Sequence, residues 1–207
     1  MSPSDEPIRR PRIFAIIPAA GRSERMGRPK QLLDVGGRPM LASVADSLRA
    51  AGVMFVAVVT RSEVAEAIDH SLPSATLVVR NDDPATEMIH SIRMGLDAWA
   101  GRVRVLPHDG FLIVPGDQPG IPPHCIQACV ARFVDHPDSI VVAAWQGRTG
   151  HPLIFPAAFA GFVRSPRCDG GLRLLPLAHA DRVCHVECDS EAVVRNVNTP
   201  TDYEQLG

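Results

Sequence analysis

The residues best equipped for chemistry in this chain fall in two short runs. The first holds Arg22, Ser23, Arg25, Arg28 and Lys30. It follows the apolar run Ile13–Ile17 and the small-residue turn Pro18-Ala19-Ala20-Gly21. The second is Pro115-Gly116-Asp117-Gln118-Pro119-Gly120, directly after apolar Phe111–Val114. A strand that empties into small residues lets a ligand approach the backbone closely. Exposed amides followed by clustered cations suit a polyphosphate. The spacing fits neither Gly-x-x-x-x-Gly-Lys-Ser/Thr nor Gly-x-Gly-x-x-Gly. Lys30 is the sole lysine among 21 basic residues. In a chain so committed to arginine, a compact, rotatable ammonium points to a phosphate contact.

Arg25 and Lys30 supply positive charge for a triphosphate, and Asp117 supplies one carboxylate at a strand end. Magnesium takes only one or two protein carboxylates, with substrate phosphates and waters completing its shell. No Gly-x-Ser-x-Gly elbow accompanies these residues. Phosphoryl-type transfer fits, because positioning and charge neutralisation supply most of its catalysis and the substrates bring their own nucleophile.

The elements that must hold these loops alternate. Apolar runs at Ile13–Ile17, Val53–Val59, Thr76–Val79, Phe111–Val114 and Ile140–Ala144 read as strands. Helices are expected over Arg38–Gly52, from Ser62 (as N-cap) to about His70, over Thr86–Trp99, and from about His124 to Val134. In the third of these, Met88, Ile92, Leu96 and Trp99 form a buried stripe. Beyond Ala144 the pattern is less regular, with a short strand at Leu153–Phe155, another at Val183–Val186, and short helices. The fold class is α/β, a Rossmann-like, mostly parallel twisted sheet flanked by helices. Residues 13–207 read as one domain and residues 1–12 as a loose tail. Ligands of such sheets bind beyond the carboxyl ends of the strands, where strand order reverses. If the first four strands lie in the order 3-2-1-4, the loops carrying Lys30 and Asp117 face each other across that crevice.

Composition narrows the classes. A net charge of −2, with no basic block beyond the first loop, argues against a nucleic-acid surface. No apolar run approaches a membrane span. Five cysteines without a Cys-x-x-Cys pair fit a reduced, cytoplasmic protein. Cys125 and Cys129, i and i+4 on a helix, read as buried small hydrophobes. In Val183–Asp189 strand alternation turns Cys184, Val186 and Cys188 to one side and His185 and Glu187 to the other, which disfavours a metal there.

Pro18-Ala19-Ala20-Gly21-x-Ser23-x-Arg25-Met26-Gly27-x-x-Lys30 resembles the signature of the MobA-like nucleotidyltransferases of molybdenum-cofactor synthesis. Gly116-Asp117-Gln118-Pro119 is similar to their metal-binding turn. Gly150-His151-Pro152, Asp169-Gly170-Gly171-Leu172-Arg173 and Asn198-Thr199-Pro200-x-Asp202-Tyr203 match later elements of that family. The resemblance implies a nucleotide-diphospho-sugar transferase-like fold and transfer of a nucleoside monophosphate from an NTP to a phosphorylated acceptor such as molybdopterin, releasing pyrophosphate. It implies catalytic roles for Arg25, Lys30 and Asp117. Nucleotide contacts are implied for Ala19, Ala20, Gly21, Ser23, Arg25, Lys30, Arg80 and Ser91. His151, Asp169 and Gly170 would contact the acceptor, and Asp117 and Asn198 would hold Mg²⁺. The partners implied are the two substrates and, transiently, a molybdoenzyme.

CTP is favoured as donor, since guanylyl relatives tend to carry Ala-Gly-Gly where this chain has Ala19-Ala20-Gly21. Alternatives are a guanylyltransferase, a sugar- or alcohol-phosphate nucleotidyltransferase, and a non-catalytic nucleotide-binding accessory protein. The run Thr86-Glu87-Met88-Ile89-His90-Ser91 departs from the cytidylyl pattern. It adds Glu87 and His90 close to where base and ribose should lie.

Overall fold

The computed structural model describes residues 9–206. Most of the tail assigned to residues 1–12 therefore lies outside the described residues. The elements, in order, are β1 (Ile13–Pro18), β2 (Asp34–Val35), β3 (Arg38–Pro39), α1 (Met40–Ala50), β4 (Phe55–Thr60), α2 (Ser62–Ile68), β5 (Leu77–Arg80), α3 (Met88–Ala100), β6 (Gly110–Ile113) and α4 (Pro123–Asp135). Then come β7 (Ile140–Trp145), β8 (Arg148–Pro156), α5 (Ala160–Arg164), α6 (Leu174–Ala178), β9 (Val183–Glu187) and α7 (Pro200–Glu204).

Seven strands form one sheet in the order β5-β4-β1-β6-β8-β7-β9. The four strands β5, β4, β1 and β6 are mutually parallel, and β7 is parallel to β9. Only β8 runs against its neighbours. The first four strands thus take the expected 3-2-1-4 order, and strand order reverses between β1 and β6. Every residue of β1 is buried, as a central strand covered on both faces must be. Alternation divides its side chains between two cores. Ile13, Ala15 and Ile17 meet Leu41, Leu48, Ile126 and Phe133 from α1 and α4. Phe14 and Ile16 meet Ile92, Leu96 and Trp99 from α3.

Several local expectations need correction. Arg38 and Pro39 do not open α1; they pair with β2 as an antiparallel ribbon, and Pro39 is left at the helix N-cap. Arg61, not Ser62, occupies the N-cap of α2, because the Ser62 hydroxyl donates instead to Asp82 at 2.6 Å. Met88 does not join the buried stripe. It is 48% exposed, and Ile89 takes its place in the core. The strand expected at Leu153–Phe155 is the inner part of the nine-residue β8. Gln146 and Gly147, with φ of 49° and 76°, make the tight turn that folds β8 back against β7. No helix among the described residues is long and apolar enough to cross a membrane.

Candidate active site

The turn after β1 is anchored from below. The Ala19 amide donates to Val59 O at 2.8 Å, and the Thr60 hydroxyl donates to Ala19 O at 3.1 Å. Buried Gln31 then gathers two carbonyls: its Nε2 donates to Ala19 O at 2.8 Å and to Gly21 O at 2.9 Å. In a trans peptide the following N–H points opposite to the C=O. The amides of Ala20 and Arg22 are therefore turned away from Gln31, which suits them to donate to a ligand's anionic oxygens. Ser23 sits in the left-handed region at φ 57°, and its hydroxyl accepts the Lys30 amide at 3.1 Å. The intervening segment is thereby folded back so that Lys30 returns beneath the turn.

Lys30 meets Asp117 across the switch point. Its Nζ donates to Asp117 Oδ2 at 2.6 Å, to Asn198 Oδ1 at 2.9 Å and to the Val197 carbonyl at 3.0 Å. All three N–H groups of the ammonium are used. Gly116 makes the approach possible, because a Cβ there would fall 2.7 Å from the Ala19 Cβ. The third segment is tied in by the Val197 amide, which donates to Asp117 O at 2.8 Å. Asn198 is held by the start of α7. There the carboxylate of Asp202 accepts the amides of Asn198 and Thr199, each at 2.8 Å. His151, on β8, stands close enough to Asp117 to feel its charge. Burial pushes the imidazole down to about 4 against that pull, so the ring is neutral at neutral pH.

A cleft opens over this cluster. Its lining includes Ala19, Ala20, Gly21, Lys30, Ser91 and Asp117. A wider shelf alongside it adds Ser23 and Asn198. The structure therefore brings together eight of the predicted site residues in one cleft and its rim, with His151 near enough to Asp117 to feel its charge. Arg80, Asp169 and Gly170 are elsewhere. Arg80 borders a separate depression with Glu66 and His70, because β5 ends one strand further out than β4. The Asp169 carboxylate accepts from Arg93 at 2.7 Å, and Arg93 also donates to Val163 O and Ser165 O, fastening α3 to the α5 segment. The Arg25 side chain lies outside the described residues.

Some working residues escaped the sequence reading. Gln31 lies beside the sole lysine, but only the fold shows it holding the turn. Asn81 is buried and donates to Thr86 Oγ1 at 2.9 Å and to Ser91 Oγ at 3.1 Å, so it sets the wall that carries Ser91. Glu87 and His90, the departure from the family pattern, serve the start of α3. The Glu87 amide donates to His90 Nδ1 at 3.2 Å. The exposed Met88 lines the same cleft and offers it an apolar surface.

The donor set tests the expectation of a metal. Asp117 Oδ2 and Asn198 Oδ1 flank a single cation, the Lys30 ammonium, at 2.6 and 2.9 Å. Asp117 Oδ1 is buried and has no hydrogen-bond partner among the described residues. A carboxylate with one oxygen's acceptor capacity unspent, beside an amide oxygen, fits magnesium or manganese.

Loops at the switch point of a parallel sheet, a small-residue turn and a lysine–carboxylate–amide cluster are the arrangement of an α/β nucleotidyltransferase. Residues 15–183 match the model of the MobA-like NTP transferase domain, and the chain belongs to that family. It is 31% identical over 169 residues to 2-C-methyl-D-erythritol 4-phosphate cytidylyltransferase of Frankia casuarinae, an alignment covering 79% of this chain and 55% of the relative. To 3-deoxy-manno-octulosonate cytidylyltransferase of Polynucleobacter necessarius it is 28% identical, with 76% and 66% covered. The chain thus spans between about half and two thirds of the length of these curated relatives. Among solved structures, Rv0371c of Mycobacterium tuberculosis H37Rv superposes with a TM-score of 0.79 and 27% identity, covering 96% of this chain and 98% of that one. A complex of the same mycobacterial protein with manganese superposes with a TM-score of 0.73, over 94% of this chain and 97% of that one.

Proposed function

We propose that this chain transfers a nucleoside monophosphate, CMP from CTP in preference, to a phosphorylated small-molecule acceptor such as molybdopterin, releasing pyrophosphate with the help of a divalent cation. The observation that carries the reading is the convergence of Lys30, Asp117 and Asn198 under the Ala19–Gly21 turn. Support for CTP comes from Ala20, 97% buried at the cleft wall, whose methyl group narrows the base pocket, and from the cytidylyltransferase names of the relatives. The manganese complex of the mycobacterial protein supports a divalent ion.

Each group has a defined task in this reading. The turn amides receive the nucleotide's phosphates. Lys30 exchanges its contacts with Asp117 and Asn198 for the triphosphate oxygens, and holds negative charge as it builds on the departing pyrophosphate. Asp117 and Asn198 would hold the magnesium ion, which supplies further charge neutralisation when bound. An acceptor phosphate is already anionic, so the protein need not supply a general base. Neutral His151, close enough to Asp117 to feel its charge, does not repel a metal there. Hand-over of the product to a molybdoenzyme follows if molybdopterin is the acceptor.

The test is pyrophosphate release, measured with each of CTP, GTP, ATP and UTP, with molybdopterin and with sugar or alcohol phosphates, with and without Mg²⁺. Metal-dependent release with CTP supports the reading, and preference for GTP moves it to a guanylyl transfer. Nucleotide binding without release under every condition would assign the chain a carrier role and defeat the catalytic proposal.

A further inference from the structure

A second group of polar side chains gathers where α4 begins and β9 ends, apart from the cleft. His124 and Cys125 belong to the first turn of α4; Cys188 and Asp189 follow β9 directly. His124 Nε2 is 2.7 Å from Asp189 Oδ1, and the Cys125 thiol donates to the same oxygen at 3.5 Å. These three ligand atoms all lie within 4.8 Å of one another. The Cys188 thiol lies near those of Cys125 and Cys129 and donates to Val186 O at 3.6 Å. Cys125, Cys129 and Cys188 are 2%, 0% and 8% exposed, whereas the His124 and Asp189 side chains reach solvent.

Thiols that merely fill a core need no partners. Here one thiol is grouped with an imidazole and a carboxylate from two different elements, a second thiol lies beside it, and the catalytic reading uses none of them. We propose that His124, Cys125, Cys188 and Asp189 form a binding site for one zinc-like divalent ion that pins the first turn of α4 to the segment leaving β9. Two sulfurs, one imidazole nitrogen and one carboxylate oxygen make a tetrahedral set of the kind zinc takes in structural sites. Metal–ligand bonds of about 2.0–2.3 Å in a tetrahedron separate ligand atoms by roughly 3.3–3.8 Å. The Cys125–Asp189 separation already falls in that range. The shorter His124–Asp189 contact opens by rotation of two solvent-facing side chains, and the Cys188 thiol must turn from Val186 O to complete the set.

Both thiols carry protons before the ion arrives. Burial, reinforced by Cys188 and Asp189, pushes Cys125 up to about 12. Coordination therefore forms two metal–sulfur bonds and releases two protons to solvent. The same two segments also feed the catalytic cleft. Gln118, next to Asp117, donates to Ala192 O at 2.9 Å, and the chain then runs on to Asn198. A metal clamp here would stiffen the frame behind Asp117 and Asn198. Its existence does not depend on the transfer reaction proposed above.

The experiment is a titration of chelator-stripped, reduced full-length protein with Co²⁺, followed by Zn²⁺. Expected are a thiolate-to-cobalt charge-transfer band saturating at one equivalent with release of about two protons, loss of that band on displacement by zinc without further proton release, and a higher Tm. Asp117→Asn should leave all of this intact. Cys188→Ser should cut the band's intensity roughly by half, and Cys125→Ser/Cys188→Ser should abolish it. His124→Ala and Asp189→Asn, at exposed positions where folding is safe, should each weaken binding roughly tenfold or more. Absence of the band in the native protein overturns the proposal. So does a band unchanged in the His124→Ala/Asp189→Asn double variant, or one that needs Asp117.

Discussion

Lys30→Ala separates two consequences of the same three hydrogen bonds. The Lys30 and Asp117 side chains are only 14% and 15% exposed, so their pair behaves as a buried one. Removing one partner of a buried pair costs about 3–5 kcal/mol, since the other charge is stranded. Residual water access at the cleft floor brings the expected loss to about 2–4 kcal/mol. For a domain of this size that lowers Tm by roughly 5–15 °C. Turnover should fall about 10²–10³-fold, the usual result of deleting one preorganised charge-stabilising donor. Magnesium should act in the opposite sense. In the native chain the ammonium lies between Asp117 and Asn198, and a divalent ion must displace it. In the alanine variant that position is free, so millimolar Mg²⁺ without nucleotide should raise Tm more than in the native protein. Differential scanning fluorimetry with and without Mg²⁺, alongside a pyrophosphate-release assay, measures both effects. Unchanged turnover would refute the catalytic role of Lys30. A magnesium shift no larger than the native one would refute the shared position.

Three further outcomes are expected. His151→Gln should flatten the dependence of Tm on pH: the depressed imidazole contributes stability that is full above about pH 6.5 and is lost as pH falls toward about 4, so an unaltered slope in the variant would contradict the burial argument. Gln31→Leu leaves the Gly21 carbonyl without its buried donor, so chemical denaturation should show a loss of about 1–3 kcal/mol and calorimetry a weaker grip on CTP. Asp109→Ala tests the far end of β6: burial alone would raise this carboxyl, but two hydrogen bonds from the Arg12 side chain and the amides of Arg12 and Leu106 prevail and lower it. Its contribution is present above about pH 3.8 and fades below. The substitution should cost about 3–5 kcal/mol and leave CTP affinity unchanged.

The strand order and the meeting of the two loops were legible because continuous apolar runs identify buried parallel strands, and only one crevice then lies between the first and fourth. Lys30 stood out by composition and Asp117 by its turn. What stayed hidden depends on contacts that periodicity does not encode. Met88 has the helical spacing of a core residue, but a helix whose first turn opens onto a cleft exposes it. Arg80 follows a strand as a ligand-binding arginine would, but its strand is the outermost of the parallel set. The pairing of Asp169 with Arg93 joins segments far apart in the chain. The clustering of His124 and Cys125 with Cys188 and Asp189 arises because β9 pairs with β7 and thereby meets the start of α4, a neighbour relation that local sequence does not contain.

The sharpest measurement is a double-mutant cycle on Mg·CTP binding: native protein, Lys30→Ala, Asp117→Ala and the double variant, by titration calorimetry. Two side chains serving one triphosphate through one network should be coupled, so the separate losses should fail to add by at least about 1 kcal/mol. Losses that simply sum, or a native protein indifferent to Mg·CTP, would contradict the account.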